Sequence, residues 1–197
     1  MASVYDRLIE PMQAGVRRIA LEVAPSEAGW EVLDVGCGTG TGLALYRAAG
    51  CAVVGTDVSA AMLAKAWELL GEDAELHHVD PGPLPFADAR FDLVIASMVL
   101  HEVPEEAREP LVREMVRVLK PGRRLLLIDF RFGSLRGWRG RIVRVVLPVI
   151  ERLAGHYRHY RTFQAAGGLP ALVEQAGGVV EREKIVAGGN QAIVIVA

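Results

Sequence analysis

A short β-branched run that leads directly into three spaced glycines is the feature that most constrains the fold of this chain. Residues 31–42 read Glu-Val-Leu-Asp-Val-Gly-Cys-Gly-Thr-Gly-Thr-Gly, and a helical pattern starts at once. Glycine lets the backbone turn sharply and lets a ligand approach main-chain atoms. The free N–H groups at the start of a helix favour a carboxylate or a phosphate. The segment therefore predicts a strand, a ligand-binding turn and a helix.

Strand and helix patterns alternate along most of the remaining chain. This alternation predicts an α/β fold, with a parallel, doubly wound sheet and helices on both faces. The last two strands flank a tight Gly-Gly-Asn turn, which predicts that the C-terminal strand runs antiparallel. The predicted strands are 30–35, 52–57, 74–79, 91–97, 124–130, 179–187 and 192–197, and the predicted helices are 3–23, 41–49, 59–70, 104–119 and 164–176.

Length and composition fit one domain over residues 1–197, with residues 1–25 as an N-terminal cap helix. A chain of this size buries enough surface to need no disulfide or metal staple, and its two cysteines suggest no metal site. The N-terminus lacks the uninterrupted apolar segment of a signal peptide. The longest apolar run, 93–100, is too short to span a membrane. We therefore expect a soluble, cytoplasmic protein without a metal.

Two aspartates beside the glycine loop indicate the kind of ligand. Asp57 ends the second strand 21 positions after Gly36, where a carboxylate can accept hydrogen bonds from both ribose hydroxyls of an adenosine. Asp34 precedes the first glycine, a position that suits a cationic group better than a pyrophosphate. The GxGxG spacing departs from the GxGxxG of dinucleotide folds, and a P-loop is excluded because no Gly-Lys-Ser/Thr follows. A purely structural turn would make the Asp57 offset a coincidence.

Five motifs follow one another along the chain: VLDVGCGTG, VVGTD, LPFADARFDLVIAS, LHEVP and RVLKPG. In this order they resemble the motifs of the class I S-adenosylmethionine-dependent methyltransferases. The most similar group is that of small-molecule methyltransferases, which includes the ubiquinone and menaquinone C-methylases. The resemblance covers residues 30–130 well and residues 160–197 loosely. It implies a Rossmann-like seven-stranded sheet and S-adenosylmethionine as the cofactor.

The same resemblance implies a set of cofactor contacts. The glycine loop would wrap the methionine part, Asp57 would hold the ribose, and Val58 and Met62 would lie against the adenine ring. Asp80 would reach the adenine amino group, and the end of the fourth strand would lie near the methionine end. The cofactor-binding residues implied are Asp34, Gly36, Cys37, Gly38, Gly40, Asp57, Val58, Met62, Asp80, Pro81, Ser97 and Met98.

Catalytic candidates are fewer, because the methyl group of a sulfonium is already activated. The protein mainly has to align the reactants and exclude water, and a general base is needed only if the acceptor must lose a proton. The candidates for that base are His101, at the ligand edge of the sheet, and Tyr157. A structural hydrogen bond is the alternative role for His101, and Glu102 is interpreted as a charge at a helix start. Further candidates are His156, His159 and Tyr160, and on the first helix Tyr5 and Asp6 are candidates to close over the cofactor.

An insertion at residues 131–163, between the fifth and sixth strands, is strongly basic. Eight arginines and one acidic residue, Glu151, lie between positions 131 and 161. Residues 137–153 form a basic amphipathic pattern around Pro148. Three interpretations stay open. The segment is a lid that packs its apolar face on the sheet, or a lid that also admits a hydrophobic acceptor from a membrane surface through residues 136–161. The third interpretation is a surface patch that faces RNA.

The function expected is methyl transfer from S-adenosylmethionine to a small, apolar or aromatic acceptor, such as a quinol or a lipid headgroup. A nucleic-acid substrate is disfavoured, because residues 96–99 read Ala-Ser-Met-Val where base-amino methylases carry an Asn/Asp-Pro-Pro-aromatic tetrad. Two other classes stay open. One is a nucleotide-dependent oxidoreductase, and the other is a non-catalytic protein that binds S-adenosylmethionine for a partner.

Overall fold

The structure is a computed structural model that describes the backbone of residues 2–71 and 74–197. Side chains are described over these ranges except at residues 2–12, 139, 150, 153 and 154. The side chains of Tyr5 and Asp6 thus lie outside the described residues.

The described residues form one seven-stranded sheet with helices on both faces. The strand order is β3-β2-β1-β4-β5-β7-β6. Only β7 runs antiparallel to its neighbours β5 and β6. The Rossmann-like α/β class and the antiparallel C-terminal strand are therefore confirmed. The strands are β1 Glu31–Val35, β2 Ala52–Asp57, β3 Glu75–His78, β4 Phe91–Ser97, β5 Leu119–Phe130, β6 Val180–Val186 and β7 Gln191–Val196.

The helices fall on the two sides of this sheet. Alternate strand residues face each side, so Val32 and Ile95 pack beneath the first three helices whereas Leu33 and Val94 pack beneath the fourth and seventh. The apolar run of β4 is thus covered on both faces, as a buried parallel strand requires. The helices are α1 Ala2–Val23, α2 Thr41–Ala48, α3 Ala60–Leu70, α4 Glu105–Val118, α5 Gly137–Ala154, α6 Tyr157–Ala165 and α7 Gly168–Gln175, and a 3-10 turn covers Ala187–Gly189.

Two predicted element boundaries are wrong. The strand expected from residue 124 begins at Leu119, because Lys120 and Arg123 both reach Asp92 on β4 across an irregular register, at 2.8 and 3.3 Å. The helix expected over 164–176 is broken at Gly167 and Gly168, whose φ angles are 93° and 69°. Left-handed backbone of this kind cannot continue an α-helix.

The face by which α5 packs corrects one interpretation of the insertion. Gly140 touches the backbone of Gly188 so closely that a Cβ there would collide with the Gly188 carbonyl oxygen. Arg144 Nε donates to Asn190 Oδ1 (2.8 Å), and its Nη2 donates to the carbonyl of Arg131 (2.7 Å). These contacts turn the apolar stripe of α5 toward solvent. The expectation of a lid that packs its apolar face on the sheet is therefore wrong.

Candidate functional site

A cleft of about 1180 Å³ opens at the carboxyl ends of β1, β2 and β4. This edge is where ligands bind in open α/β sheets. Its walls come from α1, the three loops that follow these strands, the loop after β3 and the start of α4. The structure brings together here Asp34, Gly36, Cys37, Gly38, Asp57, Val58, Met62, Asp80, Pro81, Ser97 and Met98.

Asp57 joins the two loops that form the floor of the cleft. Its Oδ2 accepts a hydrogen bond from the Gly38 N–H and its Oδ1 accepts one from the Ser59 N–H, both at 2.8 Å. Each carboxylate oxygen has a second lone pair, so the group can still accept hydrogen bonds from a ligand. Asp57 therefore both fixes the glycine loop and presents acceptor sites beside it.

Two glycines of the loop serve different purposes. Gly36 has a φ of 75°, and a Cβ there would collide with the side chain of Val99 from the loop after β4. Gly40 does not line the cleft. It starts α2 with a φ of 77°, and its missing Cβ lets the helix approach Ala66 and Leu70 of α3. The geometry thus places Gly36 at the ligand edge and Gly40 at a helix–helix contact.

A buried carboxyl group with one oxygen that has no hydrogen-bond partner among the described residues lines the cleft. Asp34 is 4% exposed, and its Oδ1 makes no hydrogen bond within the described part of the chain. Burial raises the pKa of Asp34 to about 7; the charge of Arg17 opposes this shift and that of Asp57 adds to it. Such a carboxyl fits a ligand that brings its own positive charge.

Further polar atoms with no partner among the described residues surround Asp34 in the same cleft. They are Gln13 Oε1, Tyr46 OH and Thr56 Oγ1. Buried polar groups are normally hydrogen-bonded, so this arrangement fits a polar ligand that supplies donors and acceptors. The amino acid and ribose parts of S-adenosylmethionine carry such groups. The residues present therefore fit this cofactor.

The outer part of the cleft is more open and less polar. Val58 is 62% exposed beside the half-buried Met62, and the exposed Asp80 and Pro81 form the opposite rim. Cys37 is different, because its thiol is buried against Gly55 and Leu43 behind the loop. Its contribution to the cleft is therefore backbone rather than side chain.

His101 lies behind the cleft wall and does not line it. Its Nδ1 lies 2.7 Å from Asp129 Oδ1 at the end of β5, and its backbone N–H donates to Asp129 Oδ2 at 3.1 Å. Burial lowers the pKa of His101, but the charge and hydrogen bond of Asp129, together with the charges of Glu102 and Glu151, outweigh burial and raise it. The ring also packs edge-on against Phe130. These contacts hold the loop between β4 and α4 against β5. They agree with the alternative role predicted for His101, that of a structural hydrogen bond.

Two polar side chains near His101 do reach the cleft. They are Glu102, interpreted from the sequence as a charge at a helix start, and His156, one of the further base candidates. Glu102 Oε1 lies 3.2 Å from His156 Nδ1 and 3.7 Å from His101 Nε2. The buried Glu151 approaches His101 Nε2 from the other side, at 3.9 Å. Glu102 lies three residues before α4, so it is not a charge in the first turn of that helix.

Tyr157, the second catalytic candidate, does not line the cleft. Its ring lies under the guanidinium of Arg152, 4.9 Å away. His156, one position earlier, lines the cleft instead. Sequence spacing holds no signal for the Glu102–His156 pair, because the two residues come from loops more than 50 positions apart.

Two observations bear on other ligands. Among the side chains that the structure describes, no group of three or more His, Cys, Asp or Glu is placed to hold a metal ion. Within residues 2–71 and 74–197, no helix combines the length and the apolar character needed to cross a bilayer.

Comparison with known proteins places the chain in a family. A family model described as a methyltransferase domain matches residues 33–127. A demethylmenaquinone methyltransferase from Listeria monocytogenes is 32% identical over 179 residues, which is 82% of this chain and 75% of that protein. With the fold and the cleft, these matches show that the chain belongs to the class I S-adenosylmethionine-dependent methyltransferases.

Within this class, a second similar protein also carries the name demethylmenaquinone methyltransferase. The demethylmenaquinone methyltransferase of Paenarthrobacter aurescens is 34% identical over 158 residues, 78% of this chain. The chain spans only 61% of the length of that relative. A S-adenosylmethionine-dependent methyltransferase structure from Aquifex aeolicus superposes with a TM-score of 0.64 at 23% identity, covering 91% of this chain and 88% of the other. This likeness supports the fold.

Proposed function

We propose that the protein is a cytoplasmic enzyme that transfers the methyl group of S-adenosylmethionine to a small, apolar or aromatic acceptor of the quinol type. The observation that carries methyl transfer is that one cleft holds both Asp34, whose buried Oδ1 has no hydrogen-bond partner among the described residues, and Asp57, which binds the glycine loop. The acceptor class is supported by the named relatives and by the wall of the cleft opposite that loop.

That opposite wall is apolar. It is formed by the loop after β4 and the first turns of α4, and its lining residues are Val99, Val103, Pro104, Ala107, Pro110 and Leu111. A surface of this kind binds a flat, hydrophobic ring through burial of apolar area. Glu102 and His156 are polar side chains set beside it, and the charged residues Glu106, Arg113 and Glu114 of α4 also line the cleft.

The bound cofactor supplies an electrophilic methyl group on a positively charged sulfur. The chain's own residues do the rest. Asp34 offers a buried negative charge to the cationic ligand, and Asp57 accepts hydrogen bonds from ribose hydroxyls. The walls exclude water from the reacting atoms. An aromatic acceptor loses one proton overall when a methyl group replaces it, and Glu102 and His156 are placed to accept that proton.

An acceptor of this kind dissolves in bilayers, so the proposal includes peripheral contact of residues 136–161 with a membrane surface. The experiments below distinguish this proposal from two alternative functions, those of a hydride-transferring enzyme and of a non-catalytic binding protein.

Calorimetric titration tests which cofactor the protein binds. We expect binding of S-adenosylmethionine and S-adenosylhomocysteine but not of NADH. Asp57→Ala should weaken binding at least tenfold through the loss of charge-assisted hydrogen bonds. The control Asp88→Ala, at an aspartate that is 79% exposed and outside the cleft, should leave it unchanged. NADH binding alone, or full affinity in Asp57→Ala, would contradict the proposal.

The pH dependence of the same titration isolates Asp34. Its raised pKa means that the carboxyl is protonated in the free protein below about pH 7 and must ionise to face a cation. Affinity should therefore fall as the pH drops below 7, by up to about tenfold per pH unit. Asp34→Asn should bind more weakly and lose this dependence. An unchanged slope in that variant would assign the proton to another group.

The acceptor is tested by methylation of a reduced naphthoquinone that lacks the ring methyl group, with the product followed by mass. We expect transfer, and we expect Glu102→Gln and His156→Asn to lower kcat by about 10²-fold or more without changing cofactor affinity. Binding of the cofactor without transfer to any apolar acceptor would favour the non-catalytic alternative.

A further inference from the structure

We infer that the outward face of α5 is a membrane-binding surface that selects negatively charged lipid. This inference deepens the proposed function, on which it rests only for the supply of a lipid-dissolved acceptor. The surface, called the α5 stripe below, consists of Trp138, Ile142, Val145, Val146 and Val149.

The α5 stripe is a continuous apolar face of a helix that meets solvent. Its members recur at intervals of three or four residues, so they share one side of the helix. Trp138 is 67% exposed, Val145 is 74% exposed and Val149 is 58% exposed. Single exposed apolar residues are ordinary, but a ribbon of five along three turns marks an interaction site.

The orientation of the stripe is fixed by the opposite face of the helix. Gly140, Arg144, Leu147 and Glu151 follow the same spacing and face the body of the protein. Asn190 Nδ2 donates to the Gly140 carbonyl at 2.9 Å, and Arg144 returns bonds to the same turn. Rotation of α5 to bury the stripe would break these bonds, so the apolar residues stay outside.

The charges beside the stripe fit an anionic partner. Arg141 and Arg152 are exposed on α5, and Arg136, Arg158 and Arg161 are exposed in the flanking segments. The one acidic residue between positions 131 and 161, Glu151, is 1% exposed and faces inward. The outward surface of this segment thus combines apolar and positive groups and presents no carboxylate.

A lipid surface matches this combination better than a second copy of the chain does. In a symmetric dimer the same patch meets itself, so the arginines of the two copies would face one another. At a bilayer, the apolar stripe enters the boundary between headgroups and acyl chains while the arginines meet lipid phosphates. The helix would then lie in the plane of the interface.

The position of α5 connects this surface to the cleft. The helix ends at Ala154, and His156 follows in the cleft wall. A bilayer that holds α5 would therefore lie next to the end of the cleft where the acceptor is proposed to bind.

Vesicle sedimentation tests the inference without cofactor or acceptor, so its failure is distinct from a failure of the proposed methyl transfer. The probes are vesicles of phosphatidylglycerol mixed with phosphatidylcholine and vesicles of phosphatidylcholine alone. We expect binding to the first, and weaker binding to the second. Trp138 fluorescence should be quenched by brominated acyl chains, and the quenching should be lost in Trp138→Phe.

Three variants identify the surface. The double variant Val145→Glu/Val149→Glu should weaken binding to anionic vesicles at least tenfold. Arg141→Glu/Arg152→Glu should weaken it roughly fivefold or more at low salt and less at high salt. The control Val179→Glu replaces an apolar residue that is 67% exposed but precedes β6, and it should bind like the parent protein.

Several outcomes would overturn the inference. One is the absence of binding to either kind of vesicle. Another is binding that Val145→Glu/Val149→Glu leaves intact. A third is a dimer in light scattering that dissociates in the same double variant while vesicles are ignored, which would assign the stripe to a second copy.

Discussion

The helices α4 and α5 are both amphipathic, yet α4 buries its apolar face whereas α5 exposes it. On α4, Val112, Met115 and Val118 are at most 1% exposed and form part of the core beneath the sheet. On α5, the equivalent apolar residues make up the α5 stripe. Apolar periodicity alone therefore predicts that a helix is amphipathic, but it does not predict which face packs against the rest of the protein.

Each helix has an arginine that hydrogen-bonds to the body of the protein, and the position of this arginine relative to the apolar face explains the difference. Arg108 lies on the apolar side of α4, where it donates to the carbonyls of Leu100 and Val103 and, at 2.6 Å, to that of His159. On α5 the corresponding arginine, Arg144, lies opposite the stripe. The face that carries the hydrogen-bonded arginine packs inward in both cases.

The largest predicted effect comes from the same substitution on the two apolar faces. Met115→Glu should cost about 4 kcal/mol or more of folding free energy, because it opens a cavity and buries an unpaired carboxylate. Val145→Glu should stay within about 0.5 kcal/mol, because the residue is exposed. Urea denaturation of both variants measures this. Comparable losses would show that the stripe of α5 is packed in solution.

The second prediction compares the two arginines. Arg108→Ala should cost about 3 kcal/mol, because it leaves several carbonyls inside the protein without donors, and Arg144→Ala about 2 kcal/mol, because its site is only partly buried. The exposed Arg141→Ala is the control and should change stability by less than about 0.5 kcal/mol. If Arg144→Ala behaved like Arg141→Ala, the orientation of α5 would need another cause.

The smallest effect concerns the close approach of α5 to the 3-10 turn. Gly140→Ala should destabilise the protein by about 1–3 kcal/mol, because its Cβ has no room beside Gly188. Gly15→Ala on α1 is the matched control, since a Cβ there meets nothing within 4 Å. That variant should gain about 0.5–1 kcal/mol from helix propensity. Thermal melting of the two variants should therefore shift in opposite directions.

Much of the fold follows from local patterns in the sequence. Strand lengths, glycine turns and the C-terminal hairpin depend on residues near one another in the sequence. The strand, turn and helix at the glycine loop and the antiparallel direction of β7 could therefore be predicted. The juxtaposition of Asp34 and Asp57 is equally local, because β1 and β2 are adjacent parallel strands and both side chains lie near their carboxyl ends.

The remainder depends on contacts between distant parts of the chain. Asp129 binds His101 because β4 and β5 are neighbours, and this contact draws the imidazole away from the cleft. The pairing of Glu102 with His156 and the rotation of α5 arise in the same way. The break at Gly167 and Gly168 did carry a local signal, since paired glycines rarely continue a helix.

The antiparallel hairpin also determines when α5 can be set in place. The helix is held by Asn190, which lies 46 positions after Arg144 and 50 positions after Gly140. At a translation rate of about 5–20 residues per second, roughly 2–10 seconds pass between synthesis of the helix and synthesis of Asn190. During that interval the glycine loop and the strands beside it have already been synthesised. The contacts that decide which face of α5 points to solvent have not yet formed. The nascent chain therefore contains the residues of the glycine loop before it contains the residues that fix the orientation of α5.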